Sequence, residues 1–584
     1  MRKTKIVATL GPATDNKDVL KNMIIRGLDV ARINFSHGEH KDHLVRMNVL
    51  KEIREELNIP VAILLDTKGP EIRTGIFENK KATLKAKQTV TLKYSAEELS
   101  NDKVIYMTSA ILYKYVSEGT MIFIDDGRLQ LCVSKVEGKD IVCQVINGGD
   151  VSDRKSINVP GVHIDLDYLS ERDASDIIFG IEQEVDFVAA SFTRCKEDIL
   201  EIRNLLDNNN GSHIEIIAKI ENREGIDNID EILKVSDGLM VARGDLGIEV
   251  EFEEIPRIQK LLIKKAYSAG KKAITATQML ESMISNPRPT RAETTDVANA
   301  VYDGTSAIML SGETAVGKYP VEAIKTMDKI ALYAEESINY KNRFYEANAK
   351  AQTVADSICH ATVTTAHDLN ASAIITVTKT GTTARMLSRY RPACPIFTCT
   401  TSKDTQRRLS LSWGVKPVLI DEFTNTDELF EHAVDLALEY NFVKSGDIVP
   451  ITTGIPLGVP GTTNMMKVHI VGHILGQGIG ITTKRVSARI CSGHNEAEVR
   501  DRFKNGDIIV IPETTNEMMD ILRKASGIIT QEGGRSSHAA VVGFSLDIPV
   551  VCEVPFATKI FKTGTTVTID STTGLIYNGI VTNT

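Results

Sequence analysis

The sequence has 584 residues, which at roughly 150 residues per domain allows about four domains. Hydrophobic residues make up 42% and charged residues 25%, an ordinary globular mix with material for more than one core. A formal net charge of -9, from 68 Lys and Arg against 77 Asp and Glu, argues against a nucleic-acid partner, although a local basic cluster can still hold an anionic substrate.

Residues 1–5 lead into a short apolar run that ends at Leu10 and is closed by Gly11 and Pro12. The run is too short to cross a bilayer, no small-residue cleavage site follows it, and no longer apolar stretch occurs. A cytoplasmic protein with no membrane partner is therefore expected. The eight cysteines are scattered without a C-x-x-C pair and read as reduced thiols. Asn34-Phe35-Ser36 matches a glycosylation sequon, which in a cytoplasmic chain is a chance match.

Up to about residue 340, short runs rich in Val, Ile, Leu and Ala alternate with longer helical patterns. The runs 5–10, 29–34, 61–66, 187–191, 215–219, 238–242, 272–277 and 306–310 suit parallel strands buried on both faces. Eight such strands separated by helices predict an α/β chain whose first architecture is a (β/α)8 TIM barrel. Polar residues recur where the runs end: Asn34 and Ser36; Asp66, Thr67 and Lys68; Lys219 and Glu221; Arg243 and Asp245; Thr277; Ser311 and Glu313. One such end reads as a loop start, but repetition at so many ends matches the face on which barrels build active sites.

The pattern breaks over 74–165, where alternating segments at 89–94, 121–124, 130–136 and 141–146 are punctuated by Gly. That stretch reads as an inserted β-barrel domain, so the barrel comprises 1–73 and 166–345. A further α/β domain is expected over 346–472, with helices at 354–368 and 384–390 and strands at 373–377, 396–399, 418–420, 447–451 and 468–471. The glycine-rich 476–480 reads as part of a linker over 473–487, and as a weak dinucleotide signal. A small additional C-terminal α/β domain over 488–584 carries Gly533-Gly534-Arg535-Ser536-Ser537-His538.

Lys219 and Glu221 lie two apart on one strand, so their side chains leave on the same side. With Asp245 after the next strand, two carboxylates could share a hard divalent cation completed by water and substrate oxygens. A structural ion pair at the barrel rim is the alternative, and the spacing leaves both open. In Arg243-Gly244-Asp245-Leu246-Gly247, Gly244 lets the backbone approach a ligand. Successive N–H groups at a short helix start there would suit a substrate carboxylate.

These motifs resemble the pyruvate kinase family. The resemblance rests on 240–247, 218–222, 276–283, 309–314, 34–38, 65–73 and 286–293, in family order, and spans residues 1 to about 470. It implies phosphoryl transfer between phosphoenolpyruvate and ADP, giving pyruvate and ATP. It also implies Mg2+ or Mn2+ held by Glu221 and Asp245, and catalytic roles for Lys219, Thr277 and Arg32, with Ser311 and Glu313 on a proton path. By the same resemblance, Arg32, Gly244, Asp245 and Thr277 bind the substrate, and Arg73 and Lys155 the nucleotide. Asn34, Ser36, Asp66 and Thr67 hold K+, with Glu71 as in K+-dependent members. A homotetramer is implied as well.

In the α/β domain, Thr378, Lys379, Thr380, Gly381, Thr382 and Thr383 sit between a strand and a helix. Hydroxyls, N–H groups and a Lys there suit a phosphate, and helix capping by Thr is the plainer alternative. The resemblance makes this the effector loop, for AMP, ribose 5-phosphate or fructose 1,6-bisphosphate. The second effector loop, at 453–461, matches only in outline and lacks the Trp and Arg of fructose-bisphosphate-regulated members. The C-terminal domain resembles the mobile phosphohistidine domain of phosphoenolpyruvate-utilising enzymes, with His538 at the phosphorylated position. No ATP-grasp domain accompanies it, so a structural or subunit-contact role is expected for it. A phosphotransferase relaying through His538 and a catalytically dead sensor are the competing readings of the whole chain.

Overall fold

Eight parallel strands close a barrel: β1 (Lys5–Thr9), β2 (Val30–Asn34), β3 (Ala62–Asp66), β4 (Phe187–Ala190), β5 (Glu215–Ile220), β6 (Gly238–Ala242), β7 (Lys272–Ala276) and β8 (Ala307–Leu310). They follow one another in order around the ring, and β8 returns to β1 with Lys5 opposite Ala307. The strands are mostly apolar because both faces are buried. Val7, Val30, Leu64, Phe187, Ile217, Met240, Ile274 and Met309 fill the interior. The alternate residues, such as Ile6, Ile33, Leu65, Val188 and Ile216, pack outward against the helices. This is the (β/α)8 barrel expected from the alternating runs. Its strands stop at Ala190 and Ala276, one residue short of the expected Ser191 and Thr277.

The computed structural model describes residues 1–95, 97–346, 353–423, 425–455, 463–472 and 474–579. They divide into two compact units, Met1–His360 with Thr376–Glu422 and Gly454–Thr463, and Ala361–Ile375 with Phe423–Thr453 and Asn464–Thr584. Within the first unit, the segment after β3 forms a seven-stranded sheet that begins at Ile72–Arg73 and ends at Val104–Met107. A bridge between Thr74 and Met107 brings its two edges together, so the sheet nearly closes on an apolar core that includes Leu92, Ile122, Leu131 and Ile141. Also in this unit, Ile396–Thr400 pairs in parallel with Val415–Leu419, and the helix Thr382–Arg389 precedes them in the chain.

The helices carry their own start and stop signals. Arg291–Asp303 opens on a capping box, in which Thr290 Oγ1 accepts from Glu293 N–H and Glu293 reaches back to Thr290 N–H. It ends on Gly304 at φ 93, a left-handed position that glycine adopts without a Cβ clash.

In the second unit, an eight-stranded sheet runs from Ile474–Gln477 at one edge to Ile479–Gly480 at the other. Both segments fall in the stretch expected to be a linker, which is instead paired: Ile474 lies opposite Tyr577, and Ile479 opposite Cys552. The glycines serve close packing rather than freedom, since a Cβ at Gly478 would stand 2.2 Å from the Cys552 carbonyl oxygen. Parallel strands Ile508–Ile511 and Gly527–Thr530 form the centre, and the helix His538–Leu546 packs against the adjacent core. The eight cysteines are all free.

Candidate active site

Side-chain alternation carries the barrel's inner set onward into its C-terminal mouth. Continuing by two from Val7, Val30, Leu64, Ala189, Ile217 and Met309 gives Thr9, Arg32, Asp66, Ser191, Lys219 and Ser311. A further step from Lys219 gives Glu221. Six adjacent strands thus deliver polar groups to one place, and they interlock. Asp66 is fully buried and accepts from Arg32 Nε at 2.5 Å and from Lys219 Nζ at 3.1 Å. Lys219 Nζ also lies 3.0 Å from Glu221 Oε1 and donates to Ser191 Oγ at 2.7 Å. Arg32 Nη1 donates to Thr9 Oγ1 at 2.8 Å.

The electrostatics follow from burial among opposite charges. Burial alone would depress the Lys219 pKa, but the Asp66 and Glu221 carboxylates outweigh it and hold the ammonium above its ordinary value. Lys219 is therefore a permanent cation. Burial raises the Glu221 pKa, opposed by Lys219 and reinforced by the nearby Asp245 charge. Asp245 bears on Glu71 as well. Among the described residues, no three or more His, Cys, Asp or Glu side chains gather as a metal site. Glu221 and Asp245 lie close enough to bear on each other's charge, and two such carboxylates could hold Mg2+, an ion that keeps several waters and takes substrate oxygens.

The loops behind these residues hold unusual backbone. Phe192, at φ 54, turns its N–H onto Glu221 Oε2 at 2.6 Å. Thr277, at φ 67, is a β-branched residue in the left-handed region, a conformation that persists where surrounding contacts fix it. Its Oγ1 donates to the Ala276 carbonyl at 2.6 Å and accepts from Gly244 N–H at 2.8 Å. That N–H is thereby engaged by Thr277. Arg243 locks the same junction, donating to the Thr277 carbonyl at 2.6 Å and pairing with Asp296 at 2.7 Å.

The other expected residues fall into separate local sets. Asn34 Oδ1 accepts from Ser36 N–H at 3.0 Å, and the Thr67 carbonyl accepts from Ser191 Oγ at 2.6 Å. Arg73 pairs with Glu71 at 2.6 Å, and Lys155 with Asp125 at 2.8 Å. Glu313 accepts from Ser311 N–H at 2.8 Å and from Leu280 N–H at 3.0 Å, which ties together the loops after β7 and β8. Ser311 Oγ is buried without a hydrogen-bond partner among the described residues. Ser191, Thr9 and Phe192 were not expected as site residues, and Arg243 was expected only as a polar residue at a strand end on this face. Extending the period of two past each strand end finds the first two; the Phe192 and Arg243 contacts depend on loop conformation.

In the 378–383 loop, Gly381 at φ 79 is the N-cap of Thr382–Arg389 and no side chain caps it, so capping does not explain the threonines. Thr378 Oγ1 accepts from Gly381 N–H at 3.1 Å, the Thr380 and Thr382 hydroxyls lie 3.0 Å apart, and Thr383 Oγ1 meets Thr463 Oγ1 at 2.6 Å. Lys379 is exposed, 3.9 Å from Glu422. Residues 456–461 of the second expected loop lie outside the described residues. His538 begins the helix His538–Leu546, with Nδ1 2.9 Å from Thr514 Oγ1 and Nε2 3.0 Å from Asn516 Oδ1.

Three family models match the chain: the pyruvate kinase barrel domain over residues 1–324, the pyruvate kinase alpha/beta domain over 356–469, and the mobile domain of PEP-utilising enzymes over 503–574. The chain is 47% identical over 585 residues to a pyruvate kinase of Sporosarcina psychrophila, with 99% of each chain covered. A pyruvate kinase of Clostridium acetobutylicum is 50% identical over 473 residues, covering 100% of that protein and 81% of this chain. The crystal structure of a pyruvate kinase from Cryptosporidium parvum superposes with a TM-score of 0.77 at 40% identity, covering 80% of this chain and 96% of that one. With its barrel, its inserted β domain, its α/β domain and relatives matched end to end, the chain belongs to the pyruvate kinase family.

Proposed function

We propose that the mouth of the barrel transfers the phosphoryl group of phosphoenolpyruvate to ADP, with Lys219 at the reacting atoms. The observation that carries this reading is the interlocked set Arg32, Asp66, Ser191, Lys219 and Glu221, which holds two cations side by side in a buried site. Phosphoryl transfer asks for positioning and for neutralisation of the equatorial oxygens. Arg32 grips the substrate phosphate, and Lys219, unable to give up its proton near neutral pH, stabilises the transferring group and the enolate left behind. A divalent cation on Glu221 and Asp245 supplies further neutralisation when bound. The Thr277 hydroxyl, fixed by its left-handed backbone, orients a water that protonates the enolate carbon. With Glu313 occupied by two N–H groups, Ser311 is the member of that pair left to relay the proton.

Arg73 and Lys155 face the nucleotide phosphates once Glu71 and Asp125 yield them, and the inserted domain excludes water by closing over the mouth. K+ takes Asn34, Ser36, Asp66 and the Thr67 carbonyl, balancing Glu71. The 378–383 loop takes the phosphate of an effector such as AMP, ribose 5-phosphate or fructose 1,6-bisphosphate. The family favours a cytoplasmic homotetramer, and His538, held by Thr514 and Asn516, is structural in it. Pyruvate formation from phosphoenolpyruvate is expected to require ADP, a divalent cation and K+ at matched ionic strength, because screening alone alters anion binding. Full turnover without a divalent cation would sink the assignment of Glu221 and Asp245. Glu221→Gln keeps the shape but removes one charge from that pair, so the metal titration of activity should move to markedly higher concentration. An unmoved titration would show that Glu221 is not a ligand.

A further inference from the structure

The N-terminal face of the barrel, opposite the active site, carries a second concentration of positive charge. A narrow pocket of about 20 Å³, partly open to solvent, is lined there by Lys271, Lys272, Arg385, Arg389, Arg391 and Trp413, among others. Lys272 and Arg385 share the Glu215 carboxylate. Arg389 lies 3.4 Å from an Asp356 oxygen that also accepts from Tyr390 at 2.6 Å. Lys271 has a backbone partner, the Ser236 carbonyl at 2.7 Å. Among the described residues, Glu215 and Asp356 therefore pair with three of the five cations, and Glu335 and Asp237 act on Arg391 and Lys272 only at longer range.

Arg391 is the least satisfied of the five. It is 6% exposed and makes no ion pair among the described residues. Its Nη2 donates to the Gly304 carbonyl at 3.0 Å and to Ser306 Oγ at 3.1 Å, while Nε and Nη1 are buried without partners. The guanidinium stacks 4.6 Å from the Trp413 ring centroid. Burial, together with the Arg343 guanidinium nearby, pulls its pKa down to about 9. A buried charge with unmet donors is costly, and the group that removes the cost is an anion with several acceptor oxygens.

We propose that this pocket binds a small tetrahedral oxyanion, inorganic phosphate or sulfate, held by Arg391 with Arg389 and Lys271. The fork of donors on a guanidinium matches such an ion, and the pocket is far too narrow for a nucleotide. Arg385 and Arg389 lie on the helix Thr382–Arg389, and Arg385 also donates to the Thr380 carbonyl at 3.2 Å and to Thr382 Oγ1 at 3.3 Å. An anion here therefore acts on the helix that carries the 378–383 loop, from its opposite end.

Trp413 is the only tryptophan in the sequence, so its emission reports on this pocket. Inorganic phosphate titrated into the full-length protein at constant ionic strength is expected to give a saturable change in that emission, and sulfate to compete with it. Glucose 6-phosphate should be weaker by about tenfold or more, since its sugar does not fit. Arg391→Gln should abolish the response. If that variant does not fold, the partly exposed Lys271→Gln should do so and weaken phosphate by about tenfold, the loss of one charged contact. No saturable change in the wild type, a response to the sugar phosphate alone, or equal affinity in a folded variant would each overturn the proposal.

Discussion

Lys219 shows how much one residue depends on its neighbours. Its charge is fixed by Asp66 and Glu221, and its direction by Ser191, whose single hydroxyl proton goes to the Thr67 carbonyl at 2.6 Å, with Asp66 Oδ1 3.1 Å away. Lys219→Met removes a charge aimed at the transition state, so kcat should fall by about 10²–10³ or more with substrate binding largely kept. Near-normal turnover of the purified variant would refute the role. Ser191→Ala tests positioning instead: loss of one hydrogen bond to a charged group should lower kcat by about tenfold while KM changes little. An equal fall in substrate affinity would mean that Ser191 binds rather than positions. Lys219, Glu221 and Asp66 were legible in the sequence as polar residues at the ends of apolar strands, and Arg32 only through the family resemblance. The left-handed turns at Phe192 and Thr277 were not, since the sequence around them reads as continuing strand.

At the scale of elements, the barrel strands were the most readable feature. Burial on both faces demands unbroken runs of Val, Ile, Leu and Ala, and the expected starts and ends fall within a residue or two of those observed. Residues 474–480 were the least readable. Their glycines look like flexibility, yet Gly476 and Gly478 allow close approach to Phe561, Val554 and Cys552. Only the pairing partners, distant in sequence, reveal this. Gly478→Ala would drive a Cβ to 2.2 Å from the Cys552 carbonyl oxygen and 2.7 Å from Val554. The expected result is an overpacking loss of about 1–3 kcal/mol, read as a lowered unfolding midpoint of the C-terminal sheet. An unchanged midpoint would mean that these strands are only loosely paired. The threonines of the 378–383 loop are a similar case, since the N-cap role they invite belongs to Gly381.

For the whole molecule, every residue assigned to the reaction lies in the first unit, before the C-terminal sheet. The Clostridium acetobutylicum relative, matched over its entire length, covers only 81% of this chain. A chain ending near Gly472 should therefore keep catalysis. Ending at 487 should do worse than ending at 472, because it leaves the segments Ile474–Gln477 and Ile479–Gly480 without Leu575–Asn578 and Val550–Cys552. Unpaired edges of that kind associate, so the longer truncation should aggregate while the shorter remains dispersed in sedimentation. Complete loss of activity in a folded 1–472 chain would contradict the separation. By itself, the sequence determined the barrel, the inserted β domain and the residue types at the mouth. Strand periodicity and strand-end chemistry are local properties written in consecutive residues. Tertiary structure alone decided that Ser191 and Thr9 join the Lys219 network, that a supposed linker is two paired strands, and that Arg391 is buried with no ion pair among the described residues. Each of those depends on groups brought together from distant parts of the chain, where burial sets the cost of every unmet charge and hydrogen bond.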